Sequence, residues 1–439
     1  MDTFYKVYHK KLVIKLEKGY TDLSTLVISS SKKINSQDYL ESSRQRPQDF
    51  MRDRKMPFEK LICFMLNMVK GSTQTCLDHF FELIGRNDVH MTQQAFSEAR
   101  QKIKWEAFQD LFLYTRELIY EGYNETWHGY RITAIDGTKL QLPDDSKLRD
   151  YYGTIGKGNI AVTGQASALY DIYNNILIDV QLEPISTDER ELAQRHISAL
   201  YKMPSFGKEC ILFDRGYPSF ELIETQVDYG IKYVMRVRRG FNNDIDKLRI
   251  GAGHSVILHK KGHNDIPVRV IKFLLPSGEM ETLITNIFDM NMGINDFKQL
   301  YFKRWPIETK YDEIKNKLEV ENFSGRTVNA VKQDFYISMY LSNIISVACR
   351  EAQEKVSRDR ENKDNIYEYH VNVNQAIGTF KDRFIKVMLL KSARAREKKI
   401  KRILYLLTGN AVPTRPNRSL PRNPSPRKAK FRHNRKSNC

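Results

Sequence analysis

The segment YFKRWPIETKYDEIK spaces Tyr301, Arg304, Glu308 and Lys315 at offsets of 0, 3, 7 and 14 residues. At the helical step of about 100° per residue, these four fall within an arc of roughly 60° on one face. An aromatic ring, two cations and a carboxylate make a poor packing surface but suit phosphate chemistry. Arginine forks onto phosphate oxygens, lysine supplies a point charge, and glutamate can hold a metal ion. Pro306 would strain the middle of such a helix or mark a start within it, so a bend is expected. Taken alone, the stripe is equally a solvated helix face with an Arg304–Glu308 pair worth roughly a few tenths of a kcal/mol.

Two aspartates change that balance. YRITAID alternates as a strand and ends at Asp136, with Gly137 next; ECILFD reads as a buried strand ending at Asp214, followed by Arg215-Gly216. Either aspartate alone is most simply a turn residue. Carboxylates at two strand ends, joined by a third from a crossing helix, would instead assemble a site for a hard divalent cation. Two such ions roughly 3.5–4 Å apart activate an attacking hydroxyl and stabilise a leaving 3′ oxygen.

The elements that must position these groups follow from the pattern around them. Residues 1–128 read as helical: FEKLICFMLNMV (58–69) is apolar on every face, and Thr73–Leu83 and Thr92–Phe108 are amphipathic helices separated by Gly85–Asp88. The second of these offers Gln93, Gln94, Ser97, Arg100, Lys102 and Lys104, which suits either a groove-reading module or a helical cap. From Tyr130 the pattern turns to strands, at 130–136, 162–171, 175–183, 209–214 and 231–237, with helices at 187–201 and 219–230 between them. That order predicts a mixed α/β layer. Residues 238–283 look like inserted β-hairpins with turns at Gly251, Gly262 and Gly278. Helical patterns resume over 295–317, 328–356 and 370–407, and the Pro-, Arg- and Asn-rich stretch 411–439 is expected to be disordered.

Composition narrows the class of partner. The 439 residues carry a formal net charge of +18 with 41% apolar residues, which favours a polyanion partner. Residues 411–439 hold nine Lys and Arg and no acid, whereas 1–130 hold 19 basic and 17 acidic residues, so the front of the chain is no simple basic arm. No apolar run of transmembrane length occurs and the N-terminus lacks a signal-peptide pattern, so no membrane association is expected and the cytoplasm is the expected compartment. Five scattered cysteines without a C-x-x-C pair argue against disulfides and thiolate zinc. His254, His259 and His263 share one short stretch whose Gly, Lys and Asn content reads as a solvated hairpin.

Asp136 in AIDGTKLQLP, Asp214 in LFDRGYPS, and Glu308 within Y-x2-R-x3-E-x6-K resemble the bacterial insertion-sequence DDE transposases. The Tyr-Arg-Glu-Lys signature is that of the insertion-sequence-four family, and RW-P-IE and ENFSG nearby are also similar to it. The resemblance covers about 130–340. It implies an RNase H-like mixed-sheet core over 129–237 and 284–356, with Asp136 on its first strand, Asp214 after its fourth and Glu308 on a later helix. It further implies a β-rich insertion over 238–283, an N-terminal helical DNA-binding domain over 1–128, and a helical C-terminal region over 357–410 suited to dimerisation. Asp136, Asp214 and Glu308 would be the catalytic residues and would hold two Mg²⁺ ions, for which Mn²⁺ can substitute. Tyr301, Arg304 and Lys315 would contact DNA phosphates. The partners implied are double-stranded DNA, as transposon ends and target, and a second copy of the chain as a homodimer on DNA; the location implied is bacterial cytoplasm at the nucleoid. Family members stack an aromatic on a flipped base; the insertion has no Trp, leaving Phe241 or Phe273. The competing readings are a nuclease of the same fold without strand transfer and a decayed copy acting as a DNA-binding regulator.

Overall fold

A computed structural model describes residues 19–414, apart from 53–54, 68–70, 157, 159–160, 362 and 364–365. In chain order the helices begin with α1 (Leu23–Ile34), α2 (Gln37–Ser43), α3 (Phe58–Leu66), α4 (Thr73–Leu83), α5 (Gln93–Arg100), α6 (Glu106–Glu121) and α7 (Ser146–Tyr152). They continue with α8 (Glu189–Tyr201), α9 (Phe220–Asp228), α10 (Asn243–Lys247), α11 (Ile294–Phe302) and α12 (Pro306–Asp312), which passes into a π-helical turn at Glu313–Lys317. The last are α13 (Val328–Arg360), α14 (Val373–Phe380), α15 (Arg383–Met388) and α16 (Ala393–Gly409). The strands are β1 (Arg131–Gln141), β2 (Thr154–Ile155), β3 (Ala161–Asp171), β4 (Ile176–Pro184), β5 (Glu209–Phe213) and β6 (Lys232–Arg236). Beyond them lie β7 (Gly251–Leu258), β8 (Ile266–Leu274), β9 (Met280–Thr285), β10 (Glu368–His370) and β11 (Val412–Thr414).

Two compact units share this chain. The first takes the described residues up to Tyr123, Leu140–Gly164, and those from Glu313 onward; the second takes Asn124–Lys139 and Gln165–Asp312. This division cuts across the segments expected from sequence, since residues from 313 on group with the N-terminal helices.

The first unit is helical and built around α13, whose residues from Ala330 to Ala348 are almost all buried. It packs against α6 and α16. A helix this apolar on all sides is a core element, so most of its length is unavailable as a surface for a second copy. Thr92 caps α5 through its hydroxyl on the Ala95 N–H, as the sequence suggested. The expected single helix over 92–108, however, breaks between Arg100 and Glu106. There the chain pairs with the end of α2, through Gln45 N–H to Lys102 O and Lys104 N–H to Ser43 O, and Ile103 is fully buried. Arg100, offered from sequence as a groove-reading group, is 1% exposed. It donates to Gln333 Oε1, Ser324 Oγ, Ala330 O and Asp334 Oδ1 at 2.6–3.2 Å. Gly325 lies beside it, where a Cβ would come 2.5 Å from that of Ala330; the ENFSG motif therefore seats the start of α13. Val412–Thr414 pair with Glu368–His370, so the disorder expected from 411 does not begin there; the rest of that basic tail, 415–439, lies outside the described residues.

The second unit carries a mixed sheet in the order β4-β3-β1-β5-β6-β9-β8-β7. At its centre β1, β5 and β6 are parallel, in the registers Ala134↔Leu212 and Phe213↔Met235. The residues of β5, ECILF, are buried throughout, as a strand covered on both faces requires. β9, β8 and β7 then continue the sheet antiparallel from β6. The β-rich stretch after residue 238 thus extends the core sheet. The mixed α/β class expected from sequence is the class observed.

Candidate active site

Asp136 and Asp214 are placed by the parallel pair at the sheet's centre. Ala134 of β1 stands opposite Leu212 of β5. Two residues further along come Asp136, within β1, and Asp214, just past the end of β5. Asp214 leaves the end of β5, as expected. Asp136 does not end its strand: β1 runs on to Gln141, because TKLQ continues the alternation. Gly137 is accordingly no turn residue. A Cβ there would lie 2.8 Å from Glu189 Oε1 and 2.9 Å from Gln165 Nε2, so glycine admits a second carboxylate against the backbone beside Asp136. Gln165 Nε2 holds that carboxylate at 3.0 Å.

The segment from 301 to 315 is not one continuous helix, and Pro306 marks the start within it that the sequence allowed. α11 ends at Phe302 and α12 starts at Pro306, whose missing N–H and fixed φ favour a first helical position. Lys315 follows in the π-helical turn and belongs to the first unit. Burial lowers its pKa, with Glu321 opposing. Tyr301, Arg304 and Glu308 remain together in the second unit by a different route, across the break.

Arg304 is the centre of the group. Its Nη2 donates to Glu308 Oε1 at 3.0 Å and its Nη1 lies 3.9 Å from Asp136 Oδ2. The Tyr301 hydroxyl faces Asp214 Oδ1 at 3.5 Å. Both Tyr301 and Arg304 are 8% exposed, so the two signature residues expected on DNA face carboxylates in the free chain. Burial pushes the Asp136 carboxyl up from 3.8 to about 6; the Gly137 N–H and Arg304 pull it down, while Glu308 and Asp214 add to the rise. Burial opposes the Arg304 charge, yet Tyr301, Asp214, Glu308 and Asp136 outweigh it and hold the guanidinium above its ordinary value. The Tyr301 phenol is raised well beyond its usual range, chiefly by burial.

Three further residues belong to this neighbourhood and were missed in sequence. Glu189 reads there only as part of the helix start TDERE. Glu281, on β9, is 3% exposed, pairs with Arg236 at 3.2 Å, and feels Asp214 and Arg304; burial raises its pKa. The Tyr217 hydroxyl, in the same DRGY motif as Asp214, is buried without a hydrogen-bond partner. Asp136, Glu189 and Asp214, after burial, are what raise its pKa. An orphaned hydroxyl among three carboxylates marks polar space at the site.

Among the described residues, no group of three His, Cys, Asp or Glu side chains is arranged to hold a metal ion. The donor set nonetheless fits a hard divalent cation: all-oxygen ligands, an Asp136 carboxyl lifted by burial and then by its neighbouring carboxylates, and a neighbouring polar atom without a partner. Arg304 supplies the positive charge in the free chain. The histidines of the insertion do not converge, since His259 pairs with Asp265 and His263 with Glu224.

Residues 127–344 match the family model described as a transposase DDE domain. The chain is 21% identical over 317 residues to transposase InsG for insertion sequence element IS4 of Escherichia coli strain K12, covering 67% of this chain and 70% of that one. It is 29% identical over 141 residues to InsZ of the same strain, covering 31% of this chain and 46% of InsZ, so that match spans about half the relative's length. Among solved structures, a piggyBac transposase synaptic complex with hairpin DNA aligns over 89% of this chain and 86% of its own, at 13% identity and a TM-score of 0.48.

Proposed function

Because the chain belongs to the insertion-sequence DDE transposases, we propose that it binds the terminal inverted repeats of its own element, cleaves those DNA ends and joins them to target DNA. The observation that supports this most is the convergence of Asp136, Asp214 and Glu308 on Arg304 within the matched segment. We take the second unit's sheet for an RNase H-like core, in which adjacent parallel strands deliver the two aspartates and α12 delivers the glutamate. Asp214 follows the fifth strand of the chain because the two-residue β2, unread in the sequence, precedes it.

Asp136, Asp214 and Glu308 would hold two Mg²⁺ ions, with Mn²⁺ as a substitute, and these would supply Lewis-acid stabilisation to the attacking and leaving oxygens of phosphoryl transfer. The chain's own groups do the rest. Arg304 offsets the repulsion of the carboxylates in the free protein, and its planar fork suits a phosphate once DNA competes for it. Tyr301 would contact the same backbone beside Asp214, and Lys315 would supply a phosphate contact from the π-helical turn. Burial around Asp136 strengthens every charge interaction in the site. Of the aromatics named for base stacking, Phe273 is 4% exposed and cannot serve, whereas Trp305, next to Arg304, is 63% exposed and presents a free face.

Partners follow from this reading: duplex DNA as ends and target, and a second copy of the chain on DNA. Exposed Gln93, Gln94 and Ser97 keep α5 a candidate end-reading helix. With α13 largely internal, the dimer surface is assigned to the helices of the 357–410 region. Among the described residues no helix is long and apolar enough to cross a membrane, and we place the protein at the bacterial nucleoid with its substrate. The test is purified protein on a linear duplex carrying an element end, with Mg²⁺. Nicking and strand transfer are expected from the wild type, and end binding without cutting from Asp214→Asn. Cutting by that variant would remove Asp214 from the site.

A further inference from the structure

The carboxylate of Asp136 belongs to the site already described, but its backbone carbonyl is also engaged. The Tyr311 hydroxyl donates to Asp136 O at 2.6 Å, and the Ser167 hydroxyl donates to the same oxygen at 3.3 Å. Ser167 is 2% exposed and backed by His196, which is fully buried. His196 turns Nε2 to Ser167 Oγ at 3.0 Å and Nδ1 to Asp179 Oδ2 at 2.7 Å. A polar chain therefore runs from β4 through α8 and β3 to the strand that carries Asp136.

Tyr311 approaches from the other side. It lies on α12, three residues after Glu308, a spacing that sets both on neighbouring positions of one helix face. One phenol thus joins the Glu308 helix to β1. α12 begins after a break and gives way after seven residues to a π-helical turn, so its position depends on contacts outside it. Arg304 ties the same elements, but through the carboxylates themselves, and a cation or a phosphate would compete for that tie. The Tyr311 bond ends on a carbonyl and survives such competition.

We propose that Tyr311 is a positioning residue that sets the separation of Glu308 from Asp136, with Ser167, His196 and Asp179 bracing the strand from behind. This rests on the reading of those two carboxylates as ligands of a divalent cation. The experiment measures Mn²⁺ binding to the full chain without DNA, by the electron paramagnetic resonance signal of free Mn²⁺. The proteins compared are the wild type, Glu308→Gln, Tyr311→Phe and Ser167→Ala. Tyr311→Phe keeps the ring and loses only the hydroxyl. It should weaken Mn²⁺ binding about 10- to 100-fold, as loss of a partner behind a ligand does. Ser167→Ala should weaken it less, and binding of Tyr311→Phe to element ends in metal-free buffer should match the wild type. Wild-type Mn²⁺ affinity in Tyr311→Phe overturns the inference alone. Parallel loss of end binding also overturns it, by making the residue merely structural. Mn²⁺ binding indifferent to Glu308→Gln overturns the ligand reading beneath it and the inference with it.

Discussion

Replacing Asp136 by asparagine should stabilise the metal-free protein while removing its activity. Asparagine keeps the shape of the carboxyl but carries no charge. In the folded chain burial raises this carboxyl from 3.8 to about 6, a displacement worth about 3 kcal/mol against the ionised form. The side chain is 24% exposed, so solvent reduces that figure, and about 1–2 kcal/mol is expected. For a unit of this size, that corresponds to a melting temperature about 3–6 °C higher than wild type at pH 7.5. The folded-state value lies above the unfolded one, so the wild type is at no disadvantage below 3.8 and loses stability as pH rises through about 6. The gap at pH 4.5 should be about a third of that at pH 7.5. Melts followed by circular dichroism at four pH values between these limits make the measurement, with Mg²⁺ expected to raise the wild type alone. A gap that does not grow with pH, or a variant less stable at pH 7.5, would refute the claim that Asp136 is a strained carboxylate awaiting a cation.

Other changes address the remaining groups. Arg100→Met removes a buried partner of Asp334 and should cost about 3 kcal/mol of stability, seen as an early melt of the helical unit; a loss below about 1 kcal/mol would show that Asp334 finds other partners. Arg304→Ala and Lys315→Ala should each flatten the dependence of log affinity on log salt by about 0.9 for element ends; an unchanged slope would end that residue's assignment to phosphate.

Which residues gather around Asp136 was more legible in this chain than how they are positioned. Asp214 at a strand end and the α/β order around it follow from local alternation and turn residues, which report backbone structure directly. The position of Asp136 within β1 was hidden because Asp-Gly normally signals a turn, and only the carboxylate of Glu189, 24 residues after Gln165 holds it, explains why glycine stands there. The stripe over Tyr301, Arg304 and Glu308 singled out residues that the structure does bring together, though not on one continuous helix. Pro306 starts a new helix; Arg304 still reaches Glu308 four residues on, while Arg304 and Tyr301 meet the two aspartates through tertiary packing. Arg100 looked like a surface group because a buried arginine is recognisable only once its four acceptors, 224 to 234 residues away, are folded around it. Glu281 and Tyr311 gave no sequence signal for the same reason: their partners are distant in the chain.

The most direct test of the account is movement of DNA. A plasmid carries a marker between the element's own ends, and wild-type or Glu308→Gln protein is expressed beside it, with excision and reinsertion scored. Movement with the wild type and none with the variant is the predicted result. Equal movement with both would contradict the assignment of Glu308, and with it the site built around Arg304.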